Sequence, residues 1–287
     1  MKKHKICKIL LVILAIFLCV AFYELLGICV AYKKQPEVSN TTKKETKNGS
    51  WNECSENTER AVIIEKNPEA LLQRVRLIKN AKKEIILSTF AFQSDESGKL
   101  ILGALHDAAD RGVHIRLLVD GMESWVDMEG NPYFYGLSSH ENVEIKLYNK
   151  ANPLKPWKMM GRMHDKYLIA DGKTYILGGR NTYNYFLGDF PGHKNYDRDV
   201  LVVCDEPEKE NSVNQLLEYF ETIWEQEDSD YFHDNKKLAN RKSVKNAVLE
   251  LQNGYQKYFE ENKERICDTD YTDETFETEK IALVSNP

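Results

Sequence analysis

Two short, largely apolar runs, Tyr167-Leu168-Ile169-Ala170 and Thr174-Tyr175-Ile176-Leu177, flank Asp171-Gly172-Lys173, and no other stretch constrains the fold of this chain as much. An Asp-Gly pair between such runs has the composition of a tight hairpin turn. The returning run ends in Gly178-Gly179-Arg180-Asn181, so the hairpin carries these residues back beside His164 and Lys166 at its open end. Alternate side chains of an extended strand share a face, which puts His164 and Lys166 on the same side.

That grouping suits attack on a phosphodiester. An imidazole can attack phosphorus and later leave, dividing one hard displacement into two easier ones. A lysine ammonium beside it can hold phosphoryl oxygens and stabilise charge in the transition state. Gly178 and Gly179 would let backbone N–H groups approach a phosphate closely, and Asn181 adds an amide donor. The set requires neither a metal nor another cofactor. It occurs once, whereas two-step displacement at phosphorus calls for two imidazoles. His193-Lys194 and His233-Asp234-Asn235 lack the spacing, and His106, His114 and His140 stand in no comparable pattern.

The pattern His164-x-Lys166-x4-Asp171-x6-Gly178-Gly179-x-Asn181 resembles the signature of the phospholipase D superfamily. Its flanks, among them Ser97-Gly98, Ala108-Ala109-Asp110-Arg111-Gly112-Val113 and Arg162-Met163, are most similar to the bacterial cardiolipin synthase branch. The resemblance spans roughly Ala61 to Asp228. It implies a layered α/β/α sandwich with a mixed sheet, and a catalytic set of His164, Lys166 and Asp171. His164 would be nucleophile or general acid, Lys166 and Asn181 would hold phosphate, and Asp171 would chiefly orient the hairpin. Many members have Ser where this chain has Gly179, so a side-chain phosphate donor is expected to be missing. The resemblance also implies a carboxylate behind the catalytic imidazole, for which Asp197 is the first candidate and Asp199 the second. Solvated turn residues are the alternative for both. Transfer of a phosphatidyl group to an alcohol, or to water, through a phosphohistidine is the activity implied. Phosphatidylglycerol or a similar phospholipid would be the substrate.

Strand-like runs at residues 84–92, 114–120 and 143–148 alternate with helical patterns, one starting at Asn67-Pro68-Glu69 and one from about Lys99 to a C-cap at Gly112. This is the organisation of an α/β layered domain. A further helix is expected from Glu206 to about Glu225. The expected divisions are residues 1–34 as basic head and membrane anchor, 35–60 as polar tether, and 61–230 as catalytic domain. Residues 231–278 read as a charged helical linker, and 279–287 as the opening strand of a missing second domain.

Lys2, Lys3, Lys5 and Lys8 precede an apolar run from Ile9 to Tyr32 broken only by Glu24. About 20 such residues cross a bilayer as one helix, so an uncleaved single-pass anchor in the cell membrane is expected. A cleaved signal peptide is the alternative, which the length of the run and the lack of a small-x-small site disfavour. A basic head before the apolar core is the pattern of a signal anchor, which puts the folded part outside the cytoplasm, while Lys33, Lys34, Lys43, Lys44 and Lys47 after the span nearly balance the charge on its two sides. Cys54, Cys204 and Cys267 beyond it are too few and too scattered for a zinc site or disulfide framework.

Residues 35–287 hold 33 basic and 44 acidic side chains. Non-specific nucleic-acid binding needs a cationic surface, so no nucleic-acid partner is expected and a nuclease is the second reading. A catalytically incomplete, membrane-tethered half-enzyme is the third. Locally the sign reverses, since Lys150, Lys155, Lys158, Arg162 and Lys166 approach the motif with only Asp165 against them. The run Pro153-Leu154-Lys155-Pro156-Trp157-Lys158 fits a bilayer interface, and equally a proline-stiffened loop whose Trp packs on the domain. Tyr133-Phe134-Tyr135 and Tyr185-Phe186-Leu187 are either core aromatics or the lining of an acyl channel. The missing second motif would come from a partner chain, a homodimer mate or an absent C-terminal half.

Overall fold

The computed structural model describes residues 2–33, 40, 43–44, 59–158, 160–206, 211–233, 235–279 and 281–283. Most of the expected tether, with Cys54, and residues 280 and 284–287 of the expected terminal strand lie outside them. The tether's last two residues, Glu59 and Arg60, belong to the first strand of the domain.

The apolar run forms one unbroken helix, α1 (Lys2–Lys33), with a mean hydropathy of 2.9 in its most apolar part. At 1.5 Å per residue it is about 48 Å long, more than a hydrocarbon core requires. Most of its side chains are exposed, as expected of a helix without a protein core around it.

In the folded domain, the helices are α2 (Asn67–Asn80), α3 (Glu96–Asp110), α4 (Gly121–Asp127), α5 (Pro132–Ser138), α6 (Ser212–Trp224), α7 (Lys242–Glu261) and α8 (Lys263–Cys267). Its strands are β1 (Glu59–Ile64), β2 (Glu84–Thr89), β3 (His114–Asp120), β4 (Val143–Tyr148), β5 (Lys166–Ala170), β6 (Thr174–Gly178), β7 (Asp199–Cys204), β8 (Ser229–Tyr231) and β9 (Phe276–Thr278). All nine form one sheet in the order β8-β4-β3-β2-β5-β6-β7-β1-β9. β2, β3 and β4 are parallel because helices connect them, and the remaining pairings are antiparallel, so the sheet is mixed.

Period-two alternation divides the core. Ile85, Leu87, Ile115, Leu117 and Leu168 point to one face, under α2, α3, α5 and α7. Ile86, Leu118, Tyr167, Ile169 and Val202 point to the other, where α6 covers them with Val213, Leu216, Phe220 and Trp224. The result is the expected α/β/α sandwich. Phe134, Phe186 and Leu187 are buried core residues, which settles the two aromatic runs as packing. Helix α3 ends as its sequence predicts. Gly112 has φ +88°, and the N–H groups of Gly112 and Val113 return to the carbonyls of Ala109 and Ala108, the paired bonds of a Schellman cap.

Two expected boundaries need correction. Residues 231–278 are part of the domain rather than a linker. Val244, Ala247, Leu251, Tyr255 and Phe259 of α7, spaced by three and four, bury one face against α3 and α5. The many charges between them occupy the solvent face, and they masked this stripe. At the end of the chain the strand is β9, which lies before Glu279 and pairs with β1. Residues 281–283 are not in a strand; Ile281 and Leu283 pack on the α6 side of the core, and the Leu283 N–H donates to Gln215.

The hairpin turn is as expected, with Asp171 and Gly172 at φ +54° and +63°. The Asp171 carboxylate accepts from the backbone N–H groups of Lys82, Lys83 and Glu84 at 2.7–3.1 Å, tying the turn to the start of β2. Asn tolerates positive φ but carries no charge, so Asp171→Asn isolates this contact. It is expected to cost about 1–3 kcal/mol, as loss of hydrogen bonds to a charged acceptor does. Thermal unfolding of the variant measures it.

Candidate active site

His164 precedes β5 and Lys166 opens it. Register places Lys166 opposite Thr89 of β2, so Phe90, the next residue, lies beside both. The Phe90 ring meets the His164 imidazole edge-on at 4.7 Å between centroids, and the Lys166 Nζ stands 5.2 Å from its centre. The shared face expected from alternation is thus made by one aromatic ring. His164 is exposed, while Lys166 is buried and its Nζ donates to the His164 carbonyl at 2.7 Å.

Asp120, at the end of β3, holds the approach to His164. It is buried and accepts from the Met163 N–H at 3.1 Å and from Arg162 Nε at 3.0 Å, and it also caps α4 through the N–H groups of Met122 and Glu123. Arg162 in turn lies over Phe90, 5.0 Å from its centroid. Sequence reasoning missed Phe90 and Asp120. The available signal for Asp120 was an acid closing an apolar strand just before a glycine, Val119-Asp120-Gly121.

On the returning side, the segment after β6 runs beside the extension of β2. Asn181 is buried, and its Oδ1 accepts from the Ala91 N–H at 3.3 Å. That bond brings Asn181 to the same sheet end as Phe90, Lys166 and His164.

The glycines serve a different purpose from the one expected. The Gly179 N–H donates to the Arg198 carbonyl, so it is not available to a phosphate. A Cβ on Gly179 would lie 2.1 Å from Asp197 Oδ2, and one on Gly178 would lie 2.1 Å from Asp199 Oδ1. Both positions lack side chains because two carboxylates pack against the backbone there. A Ser at 179 would need the Asp197 carboxylate to move.

Asp197 and Asp199 separate in role. Asp199 is fully buried and paired with Arg74 at 2.9 Å and Arg180 at 3.2 Å, which uses its carboxylate inside the domain. Arg180 also donates to Asn67 and to the carbonyls of Ile64 and Glu65. Neither residue of that pair reaches the imidazole, so Asp199 is better described as a core ion-pair member than as a histidine-orienting group. The Asp197 carboxylate packs on Gly179 and accepts from the Arg198 N–H at 2.8 Å, and its charge, after that of Asp165, favours the protonated form of Lys166 against the larger effect of burial. Among the described residues no hydrogen bond joins Asp197 to His164. Asp171 lies at the far end of β5 from His164, so the structure gives it the hairpin role and not a catalytic one.

The electrostatics favour a neutral imidazole. Partial burial lowers the His164 pKa from its ordinary value of 6.5, and the charges of Lys166 and Arg162 lower it further against the opposing pull of Asp165 and Asp120. Lys166 is itself pushed down by burial. Removing the ammonium in Lys166→Met takes away a charge that opposes protonation. The His164 midpoint is therefore expected below 6.5 in the wild type and higher in the variant. An NMR titration of the imidazole reads both. A wild-type midpoint above 6.5, or one that Lys166→Met lowers, would contradict this placement of charge.

The remaining histidines of the folded domain are engaged elsewhere, and His4 lies on α1. His106 and His140 share Asp110, His114 contacts Glu84 and Glu144, His233 contacts Glu129, and His193 lies on Tyr185. Cys204 is a buried free thiol and Cys267 an exposed one.

The fold and site define a class: an α/β/α domain in which strand ends gather an imidazole, an ammonium and an amide suited to a tetrahedral phosphoryl group. Residues 74–224, more than half of the chain, match the family model described as cardiolipin synthase, phospholipase D-like domain, and the chain belongs to that family. Among curated proteins, an uncharacterised protein of Helicobacter pylori strain J99 is 30% identical over 212 residues, covering 69% of this chain and 39% of that protein. Cardiolipin synthase C of Escherichia coli K12 is 29% identical over 171 residues, covering 55% of this chain and 34% of that one. The chain thus spans well under half the length of these relatives. A solved structure, the phosphatidylserine synthase of Haemophilus influenzae, shares the fold with a TM-score of 0.51 at 18% identity, over 77% of this chain and 48% of that one.

Proposed function

We propose that the chain is a membrane-anchored phosphatidyltransferase or phosphodiesterase acting on phospholipids, with His164 as the attacking group. The observation that carries the choice of role is the His164–Phe90–Lys166 arrangement. Partial burial and the neighbouring cations lower the imidazole pKa and so favour its neutral form, the form whose nitrogen can attack phosphorus. In this reading the imidazole nitrogen attacks phosphorus while Lys166 and Asn181 hold the non-bridging oxygens, and a phosphohistidine forms as the head-group alkoxide leaves. A second imidazole protonates that alkoxide and then deprotonates the incoming alcohol or water. None of the other histidines described lies with His164, so the second imidazole would come from another copy of the motif, on a homodimer mate or a separate half. The lipid reading is supported by α1, by the excess of acidic side chains in residues 35–287, and by the similarity to cardiolipin synthases. A domain outside the cytoplasm is read from the short basic head before the apolar core, the pattern of a signal anchor, and not from the charge balance, which Lys33, Lys34, Lys43, Lys44 and Lys47 make nearly even.

Full-length protein reconstituted in vesicles of labelled phosphatidylglycerol, and separately incubated with DNA, tests the reading. Release of phosphatidic acid or formation of cardiolipin is expected. Cleavage of DNA with the lipid untouched would overturn it in favour of a nuclease.

A further inference from the structure

Around His164 the sheet end carries large apolar side chains that nothing in the domain covers. Trp125 and Val126 of α4 are 64% and 76% exposed, and Leu154, Trp157 and Met160 of the β4–β5 loop are 77%, 46% and 54% exposed. The two segments adjoin, because Gly121 at the start of α4 lies against the backbone of Tyr148, Asn149 and Lys150, with no room for a Cβ. Both also lead into the site. Asp120 joins α4 to Arg162 and Met163, and Met160 is four residues before His164.

The loop is a built structure. The Asn149 side chain, on a backbone at φ +51°, donates to the carbonyls of Lys158 and Gly161, and the Gly161 N–H returns to the Lys158 carbonyl at 2.9 Å. A loop held this firmly displays its apolar side chains permanently. Exposed apolar side chains gathered on one rim mark an interaction surface.

What covers this rim follows from α1. The Tyr23 hydroxyl donates to the Leu154 carbonyl at 2.7 Å, and Gly27 is pressed so closely on Pro156 that a Cβ there would lie 2.3 Å from the proline ring. Counted from Ile9, about 20 residues cross the hydrocarbon and end at Ile28, which puts Gly27 at its far boundary and Tyr23 about one turn inside it. The loop is therefore held at the depth where the anchor leaves the bilayer. Its composition matches that depth, since residues 149–163 contain no acidic residue. Lys158 pairs with Asp228 and Arg162 with Asp120 and Glu123, while Lys150 and Lys155 have no carboxylate partner among the described residues, and Trp157 stands two residues after Lys155. Trp with Lys is the composition of an interface rich in anionic head groups.

We propose that Trp125, Val126, Leu154, Trp157 and Met160 form a membrane-docking rim that enters the interface of the bilayer crossed by α1 and holds the mouth of the His164 site at head-group level. This deepens the lipid reading above and rests on it for purpose, though its test needs no turnover. The docked rim gives the active site its lipid from within the plane of the membrane, so the substrate's acyl chains stay in the bilayer while its phosphodiester reaches Lys166.

The test is tryptophan quenching by shallow doxyl-labelled lipids, with the full-length chain in vesicles containing phosphatidylglycerol. The conservative double variant Trp125→Phe/Trp157→Phe is expected to lose at least about half of the lipid-dependent quenching, because interfacial rings dominate it. Wild-type emission should also resist aqueous iodide once the chain is reconstituted. Unchanged lipid quenching in the double variant would put both rings in water or against protein and overturn the proposal, as would full iodide access. If the rim docks but no lipid is turned over, the docking stands and the catalytic reading fails.

Discussion

His164→Ala is expected to lower phosphatidylglycerol turnover by at least about 10³-fold, in the range that loss of a positioned imidazole produces. The variant should fold normally. The side chain is exposed and touches the domain through the Phe90 ring, so its removal leaves neither a buried cavity nor an unpaired buried group. A loss of activity with unchanged thermal unfolding therefore reports on chemistry alone. If the active assembly is a homodimer, mixing wild-type and His164→Ala protein should give activity that falls with the square of the wild-type fraction, because each site then uses two copies. If another protein supplies the second imidazole, activity should fall linearly. Turnover retained at the wild-type level would remove His164 from the reaction.

Asp199→Ala is expected to have the largest effect on stability. It leaves Arg74 and Arg180 facing a hole in the interior, and their side chains are 5% and 0% exposed. Breaking a buried ion pair from one side costs about 3–5 kcal/mol, mostly because the surviving charges are stranded. For a domain of this size that shift lowers the midpoint of thermal unfolding by on the order of 10 °C. Replacing Asp199 together with Arg180 by apolar residues should cost less than the sum of the single changes, since both charges of that pair are then absent. A loss within about 0.5 kcal/mol for Asp199→Ala, the range of ordinary surface changes, would mean that the carboxylate is not what neutralises the two arginines.

Asp197 and Asp199 also mark where sequence reading stops. Both are acids two residues apart before an apolar strand, and spacing treats them alike. What separates them is a pair of arginines on other elements, Arg74 on α2 and Arg180 after β6, which the strand order brings under Asp199. Arg74 and Arg76 look like the polar face of an amphipathic helix, yet they are 4% and 1% exposed because the segment at 268–274 and the Asp199 carboxylate cover them. Local rules did well where the cause is local. The Asp171-Gly172 turn, the Gly112 cap, the bounds of β3 and β4, and the common face of His164 and Lys166 all depend on neighbours within a few residues. The site lost its less visible members for the opposite reason. Phe90 and Asp120 reach His164 only because β2 lies beside β5 and β3 beside β2, contacts across 40 to 75 residues of chain that no spacing encodes.

Attack of the His164 imidazole on phosphorus leaves a covalent mark that one measurement reads directly. Full-length protein turning over phosphatidylglycerol in vesicles is stopped with alkaline denaturant, which preserves phosphohistidine, and the peptide carrying His164 is weighed. A phosphatidyl adduct on His164, absent in His164→Ala, is the predicted result. Turnover with the adduct on another side chain of this protein, or with equal adduct in His164→Ala, would contradict it.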